Sequence, residues 1–361
     1  MTNEFVPACH RMEWLDPFYK KVWETAFQKC IPISGTFELT PRCNFNCKMC
    51  YVHLDSTEMV MHGKELSAKE WLDIAKDAKS AGTTWLCITG GEPLMHPEFE
   101  KIWQGLSEMG FFLTLQTNAS LITGKIVSLL KEYPPKQVKV TLYGTNDKVY
   151  ESVCGVQDGF SRVNDGIHTL MSMGIPVTLV STVIRQNEED ASNMAYYAYR
   201  HQLPWTITSE IKSSFRGKGN DVSALRLENK EERRKKDIAR RIKEKDYFDP
   251  ERKPCTYCKD YHIGYWILWN GEMRFCSFLN EPDISVRTLG FAKAWEKLVQ
   301  YEDTLEWPEE CKICPANKIC FKCAATIAAE SGSVNKVSDK FCREVCDLYD
   351  QNERKVREYE C

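Results

Sequence analysis

The chain has 361 residues, enough for two domains or for one barrel with an appendage, and its formal net charge of −3 argues against bulk nucleic-acid or membrane-surface binding. No uninterrupted apolar run is long enough to span a bilayer and the start is polar, so a cytoplasmic protein with no membrane partner is expected. Seventeen cysteines would mean disulfides in a small secreted domain; in a long chain without a signal peptide they point to metal ligation.

Residues 1–32 carry Trp14, Phe18, Val22, Trp23 and Phe27 at helical spacing, which predicts a helix packed on the body of the protein. Cys9 and Cys30 have no partners at ligand spacing and read as non-ligands. From 33 to 212 strands and helices alternate, with strands expected at 33–40, 85–89, 111–117, 138–143, 177–183 and 205–209. The first intervening helix is well signalled. Ser67-Ala68-Lys69-Glu70 is a capping box, Trp71, Ile74, Ala75 and Ala78 make one apolar face, and Gly82 ends it. Repeated strand–helix units imply a parallel sheet with right-handed crossovers, and this pattern alone does not separate an open sheet from a barrel.

Polar motifs fall at the strand ends. Cys43-Asn44-Phe45-Asn46-Cys47-Lys48-Met49-Cys50 follows the first strand, behind Pro41. The C-x3-C-x2-C spacing lets one loop wrap an iron–sulfur cube while supplying one thiolate fewer than the cube takes, which leaves an open iron. A structural zinc loop, a disulfide with a spare thiol and buried apolar cysteines are the competing readings. Gly90-Gly91-Glu92-Pro93 follows the second strand; its glycines allow close backbone approach, and a carboxylate or carbonyl there can accept from an ammonium. Gln116-Thr117-Asn118 ends the third strand and Thr141 lies near the end of the fourth. Cys87, inside a strand, reads as packing.

Composition changes at 213–250, a loop of glycines and lysines followed by a run of mixed charge that reads as a solvated connecting helix; a basic face for an acidic leader peptide is the alternative. The 251–361 region is the second cysteine-rich stretch. Cys255 and Cys258 precede Gly271-Glu272-Met273-Arg274-Phe275-Cys276, then Cys311, Cys314, Cys320 and Cys323 run as C-x2-C-x5-C-x2-C, and Cys342 and Cys346 follow.

The cysteine loop followed one strand later by GGEP resembles the radical S-adenosylmethionine (SAM) superfamily, and the second cysteine region resembles its SPASM extension. The resemblance implies an α/β fold: a partial (β/α)6 TIM-like barrel over 33–212 and a cysteine-rich SPASM domain over 251–361. It implies three [4Fe–4S] clusters. Cys43, Cys47 and Cys50 would hold the one that binds SAM, with Gly90, Gly91, Glu92, Pro93, Asn118 and Thr141 contacting SAM. Cys255, Cys258, Cys276 and Cys323 would hold the first auxiliary cluster. Cys311, Cys314, Cys320 and Cys342 would hold the second, with Cys346 one helical turn on as the alternative. The chain departs from the family at Met49, where an aromatic residue is usual and Tyr51 comes just after; at Tyr143, where many relatives have Asp; and at Cys154, in a region where relatives often have Arg. Arg162 and Arg185 are the substitutes considered for the SAM carboxylate. A hairpin from Trp266 to Phe278 turning at Asn270-Gly271 is expected.

What the resemblance implies for function is reductive cleavage of SAM to a 5′-deoxyadenosyl radical and hydrogen abstraction from a peptide substrate. The outcome would be oxidation or crosslinking, as in enzymes that mature ribosomally made peptides. An electron donor of flavodoxin or ferredoxin type and a peptide partner, with or without a leader, are expected. Formylglycine formation is a weaker alternative, because the base position after Cys276 holds Ser277. Dehydrogenation of a small alcohol and an electron carrier without catalysis are the others. No catalytic base is assigned.

Overall fold

The computed structural model describes residues 16–212, 222–227, 240–241, 243–244, 246–279, 281–337, 342, 346 and 349–350. The readings placed on Cys9, Trp14, the 213–221 loop and most of the charged 226–246 stretch lie outside the described residues. The chain divides into two compact units, Met1–Arg226 with Lys259–Gln300, and Leu227–Cys258 with Tyr301–Cys361. The boundary after residue 250 suggested by the cysteine spacing does not coincide with this division, because 259–300 packs with the first unit. Among the described residues no helix is long and apolar enough to cross a membrane.

In the first unit, strands β1 Ser34–Glu38, β2 Trp85–Thr89, β3 Phe112–Thr117, β4 Gln137–Thr141, β5 Val177–Thr182 and β6 Trp205–Thr208 are parallel neighbours in chain order. The helices between them are α2 Ser56–His62, α3 Ala68–Ser80, α4 Phe99–Glu108, α5 Gly124–Glu132, α6 Asp147–Cys154, α7 Gly159–Ser172 and α8 Ala191–Arg200, after α1 Pro17–Gln28. Strand order never reverses, so right-handed crossovers put the helices on one face, and the sheet curls its other face inward as the wall of a partial TIM-like barrel.

Alternation decides which side chains line that wall. Phe37 is fully buried and stacks on Trp71 of α3 at 4.7 Å, so the odd positions of β1 face the helices and Thr36, Glu38 and Thr40 face the interior. In β4, Val138 and Val140 are fully buried beneath the helices while Lys139 and Thr141 take the other face. The wall toward the helices is apolar and the lumen is polar, which suits a barrel that holds a polar ligand. The α3 capping box forms as expected: Ser67 N–H donates to Glu70 Oε2 at 2.8 Å and Glu70 N–H to Ser67 Oγ at 3.3 Å. Helix α1 covers the strands' N-terminal ends, where Trp23 and Ala26 pack with Ile33 and Ile263 and Trp23 meets Trp85 at 5.5 Å. Phe18 and Phe27, expected on the buried face, are exposed, because the face that packs is made by Tyr19, Val22, Trp23 and Ala26.

Strand β7 Gly264–Ile267 joins the sheet parallel to β1, and β8 Glu272–Arg274 and β9 Ile284–Ser285 follow antiparallel. The expected hairpin is therefore present and extends the barrel sheet. Gly271 N–H bonds the Leu268 carbonyl at 2.8 Å and Leu268 N–H bonds that of Glu272 at 2.8 Å, with Gly271 at φ 89°, a turn whose last residue favours glycine.

Among the described residues the second unit carries helices Glu309–Lys312 and Ala324–Ser331 and a core cluster of Ala316, Ile319 and Cys320. Trp307 Nε1–H donates to the Arg252 carbonyl at 2.8 Å, and Phe248 lies between the guanidiniums of Arg241 and Arg252 at 4.4 and 4.5 Å.

Candidate active site

The C-terminal ends of the barrel strands surround one cavity. Cys43, Cys47 and Cys50 line it together with Gly90, Gly91, Asn118 and Thr141, so the structure brings these expected site residues together. The loop after β1 is clamped from α6: Asn46 N–H donates to the Cys154 carbonyl at 2.9 Å and Lys48 N–H to that of Val153 at 3.0 Å. Phe45 N–H points at Cys43 Sγ (3.4 Å) and His53 N–H at Cys50 Sγ (3.3 Å), the amide donors that thiolates in iron–sulfur sites use. Among the described residues no disulfide joins two cysteines, and no three His, Cys, Asp or Glu side chains are grouped around the position of a single metal ion.

Burial pushes the Cys43 thiol far above its usual range, with the Glu92 charge adding to it, and burial likewise raises Cys50. Cys47 is raised by a hydrogen bond with Cys154 and by burial. Thiols in such surroundings stay protonated until a metal cation takes the place of the proton, which is released, so the donor set fits an iron–sulfur cube. The glycines of the second motif answer to the backbone beside them. A Cβ on Gly90 would lie 2.6 Å from the Thr40 carbonyl oxygen, and one on Gly91 would lie 2.5 Å from that of Arg42. Gly91 N–H and Glu92 N–H donate to the carbonyls of Thr40 and Arg42 at 2.7 and 2.8 Å, which locks the start of the cysteine loop to β2.

Glu92 and Pro93 do not line the cavity. The Glu92 carboxylate is fully buried and turned to the end of β3, where Oε1 accepts from Thr117 Oγ1 (2.7 Å) and Leu94 N–H (3.2 Å) and Oε2 from Asn118 N–H (2.8 Å). Burial outweighs these donors and lifts its carboxyl to about 7. An ammonium in the cavity would therefore meet backbone carbonyls of this motif rather than its carboxylate. Asn118 lines the cavity, yet its side chain is engaged: Nδ2 donates to Asn44 Oδ1 (3.0 Å), and Oδ1 accepts from Ser120 N–H and Oγ (2.9 and 2.6 Å). It ties β3 to the cysteine loop. Thr141 faces the cavity.

Neither arginine considered for a carboxylate lines the cavity. Arg162 pairs with Asp158 at 3.0 Å and sits over Phe45, and Arg185 Nε–H donates to the Arg226 carbonyl at 2.7 Å. Among the described residues the cation that lines the cavity is Lys212, beyond β6, with its Nζ 5.1 Å over the Phe278 ring. Phe278 also meets Tyr51 at 4.4 Å, and Met49 and Tyr51 both line the cavity. Tyr143 lines it too, its hydroxyl pushed up by burial. Sequence reasoning reached Tyr51 and Tyr143 only as departures from the family, and missed Glu210, Lys212 and Phe278. Being at strand ends was the available signal for the first two of these three; Phe278 arrives through the β7–β8 extension, which no local pattern shows.

In the second unit Cys311, Cys314, Cys320 and Cys342 line one cavity, and so does Cys346, whose Sγ is 3.9 Å from that of Cys314. Burial raises the Cys311 thiol, with the Lys322 ammonium opposing. Cys255 is buried at φ 67° in a tight turn, its carbonyl accepting from Cys258 N–H at 2.7 Å, and Cys258 is exposed. Cys276 follows β8 in the first unit while Cys255, Cys258 and Cys323 belong to the second, so the expected first auxiliary set draws on both.

A thiol-lined cavity at the C-terminal mouth of a partial parallel barrel defines a cofactor-dependent enzyme site. Residues 37–197 match the Radical SAM superfamily model, and this part of the chain is a radical SAM domain. The chain is 25% identical over 330 residues to the AdoMet-dependent heme synthase of Methanosarcina barkeri, across 82% of this chain and 92% of that one. By fold it resembles Streptococcus suis SuiB bound to the precursor peptide SuiA, with a TM-score of 0.65 at 16% identity over 90% of this chain and 80% of that one. It also resembles anSMEcpe bound to AdoMet and the Cp18Cys peptide, with a TM-score of 0.60 at 14% identity over 91% and 99% of the two chains.

Proposed function

We propose that the protein is a radical SAM oxidoreductase with auxiliary clusters that removes hydrogen from a peptide substrate, leaving an oxidised or crosslinked residue. The observation that carries this reading is the convergence of Cys43, Cys47 and Cys50 with the Gly90-Gly91 backbone and a polar barrel lumen on one cavity. The three thiolates would hold three corners of a cube, with the fourth left to SAM. Bound there, the cluster, charged with one electron from an external donor, would cleave SAM and so supply the chemistry that removes a hydrogen atom from the substrate. The backbone carbonyls beside Gly90 and Gly91 would take the SAM ammonium, and Thr141 would present its hydroxyl to the same cofactor. Tyr51, Glu210, Lys212 and Phe278 give the cavity an aromatic and charged rim suited to an extended polar chain. Cys311, Cys314, Cys320 and Cys342 would hold an auxiliary cube able to accept the electron left after hydrogen removal. SuiB and anSMEcpe, both similar in fold, are peptide-bound in their structures, which favours a peptide here.

A small non-peptide substrate is the second reading, favoured by the relative that spans most of this chain and is named a heme synthase. The test is a search beside the gene for a short Cys-rich open reading frame, then anaerobic reconstitution with iron and sulfide, iron counting, and incubation with SAM, reductant and the peptide so found. A peptide product lighter by a pair of hydrogen atoms, formed with 5′-deoxyadenosine, supports the proposal. Formation of 5′-deoxyadenosine with the peptide unchanged, and consumption of an iron porphyrin in its place, would overturn it in favour of the second reading.

A further inference from the structure

We propose that Lys322 is the counter-charge of the second unit's cysteine cavity and raises the reduction potential of the auxiliary cube held there, an inference that rests on the cluster reading above. Lys322 is only 9% exposed and lines the same cavity as Cys311, Cys314 and Cys320. Its Nζ donates to Asn317 Oδ1 at 2.6 Å and lies 4.9 Å over the Trp307 ring. Asn317 is itself fixed, its Nδ2 donating to the Pro250 carbonyl at 3.0 Å. A second buried cation stands behind it. Arg252, 7% exposed, donates to the carbonyls of Asp249, Asn317 and Cys320 at 2.7, 3.1 and 2.7 Å.

Neither cation has a carboxylate within salt-bridge distance among the described residues; the ion pairs of this unit are made by Lys253, Lys312, Arg240 and Arg241. Glu310 lines the cavity but is exposed and pairs with neither. A cation is buried at high cost unless a negative charge meets it, and neutral carbonyls meet that cost only in part. The chemistry that completes the balance is an anionic metal–thiolate group in the cavity. An iron–sulfur cube ligated by four thiolates is anionic, and one-electron reduction adds a further negative charge without making or breaking a bond to the protein. A fixed ammonium beside it stabilises the reduced form more than the oxidised one, so it raises the potential.

The test is an EPR-monitored dithionite titration of the reconstituted full chain, with Cys43, Cys47 and Cys50 replaced by alanine to remove the overlapping signal. The relevant signal is the one that Cys314→Ala abolishes. Lys322→Gln keeps an amide donor for Asn317 and removes the charge; Lys322→Met removes both, and Lys322→Arg restores the charge. The expected result is full iron content with reduction of that signal at least tenfold less favourable in Lys322→Gln, about 59 mV for a one-electron couple, and recovered in Lys322→Arg. An unchanged potential at full iron content in both neutral variants overturns the role of Lys322. Iron content that Cys314→Ala leaves unaltered, or zinc in its place, overturns the cluster reading instead, and the inference with it.

Discussion

Glu92 gives the most searching test of how the site is built. Three donors point at its carboxylate, Thr117 Oγ1 at 2.7 Å, Asn118 N–H at 2.8 Å and Leu94 N–H at 3.2 Å, and each favours the ionised form. Burial opposes them and prevails, moving the carboxyl from 4.5 to about 7. A folded-state value above the unfolded one means the native chain binds more protons, so this group's contribution is full below about 4.5 and falls as pH rises to about 7. At about 1.4 kcal/mol per unit, the loss across that window is about 3 kcal/mol. Glu92→Gln approximates the uncharged acid: its oxygen can still accept from Thr117 and Leu94, but its NH2 cannot accept from Asn118 N–H, a loss that is the same at every pH. The metal-free variant should therefore gain up to about 3 kcal/mol on the wild type between about pH 5 and about pH 8. Urea unfolding followed by tryptophan fluorescence reads this, since Trp71, Trp85 and Trp103 belong to the barrel. A difference between the two proteins that is the same at both pH values would refute the reasoning, because the donors rather than burial would then govern this carboxyl.

Cys43→Ala should lower reconstituted iron from about twelve to about eight atoms per chain, counting four per cube, and abolish 5′-deoxyadenosine formation. Cys314→Ala should lower iron similarly while sparing part of SAM cleavage; equal loss of cleavage in both variants contradicts the separate roles of the two cysteine sites. Asn118→Ala removes one of the two bonds that hold Asn44 to the end of β3, the other being Asn44 Nδ2–H to Ser120 Oγ, so reconstituted iron should fall along with SAM affinity. Weakened SAM binding with full iron would mean Asn118 serves the cofactor alone. Phe37→Ala removes a fully buried ring stacked on Trp71 and should destabilise the barrel by about 3–5 kcal/mol in urea unfolding; a loss under about 1 kcal/mol would mean β1 is not a central packed strand.

Much of this protein is legible locally. The apolar side of each strand, the capping box at Ser67 and Glu70 and the turn at Gly271 are set by short-range pattern, so the six barrel strands are found within a residue or two of expectation. The cysteine spacing likewise announces its chemistry, because a loop of eight residues can bring its thiols to one place without help from distant segments. Local pattern was less informative where a side chain has two possible partners. Glu92 and Asn118 were expected to face a cofactor, and the structure turns Glu92 wholly, and Asn118 in its side-chain bonds, to the joint between strands and cysteine loop.

The amino-acid sequence alone determined the alternation of strands and helices, the thiol triad and the presence of a second cysteine group, since each is read from spacing along the chain. Only the tertiary structure decided that 259–300 extends the barrel sheet, that Lys212 and Phe278 reach the cavity, and that Lys322 lies buried beside the second cysteine group. These depend on strand pairing and burial between segments far apart in the chain, where a lysine carries the same charge in any neighbourhood and only its surroundings make that charge costly or useful.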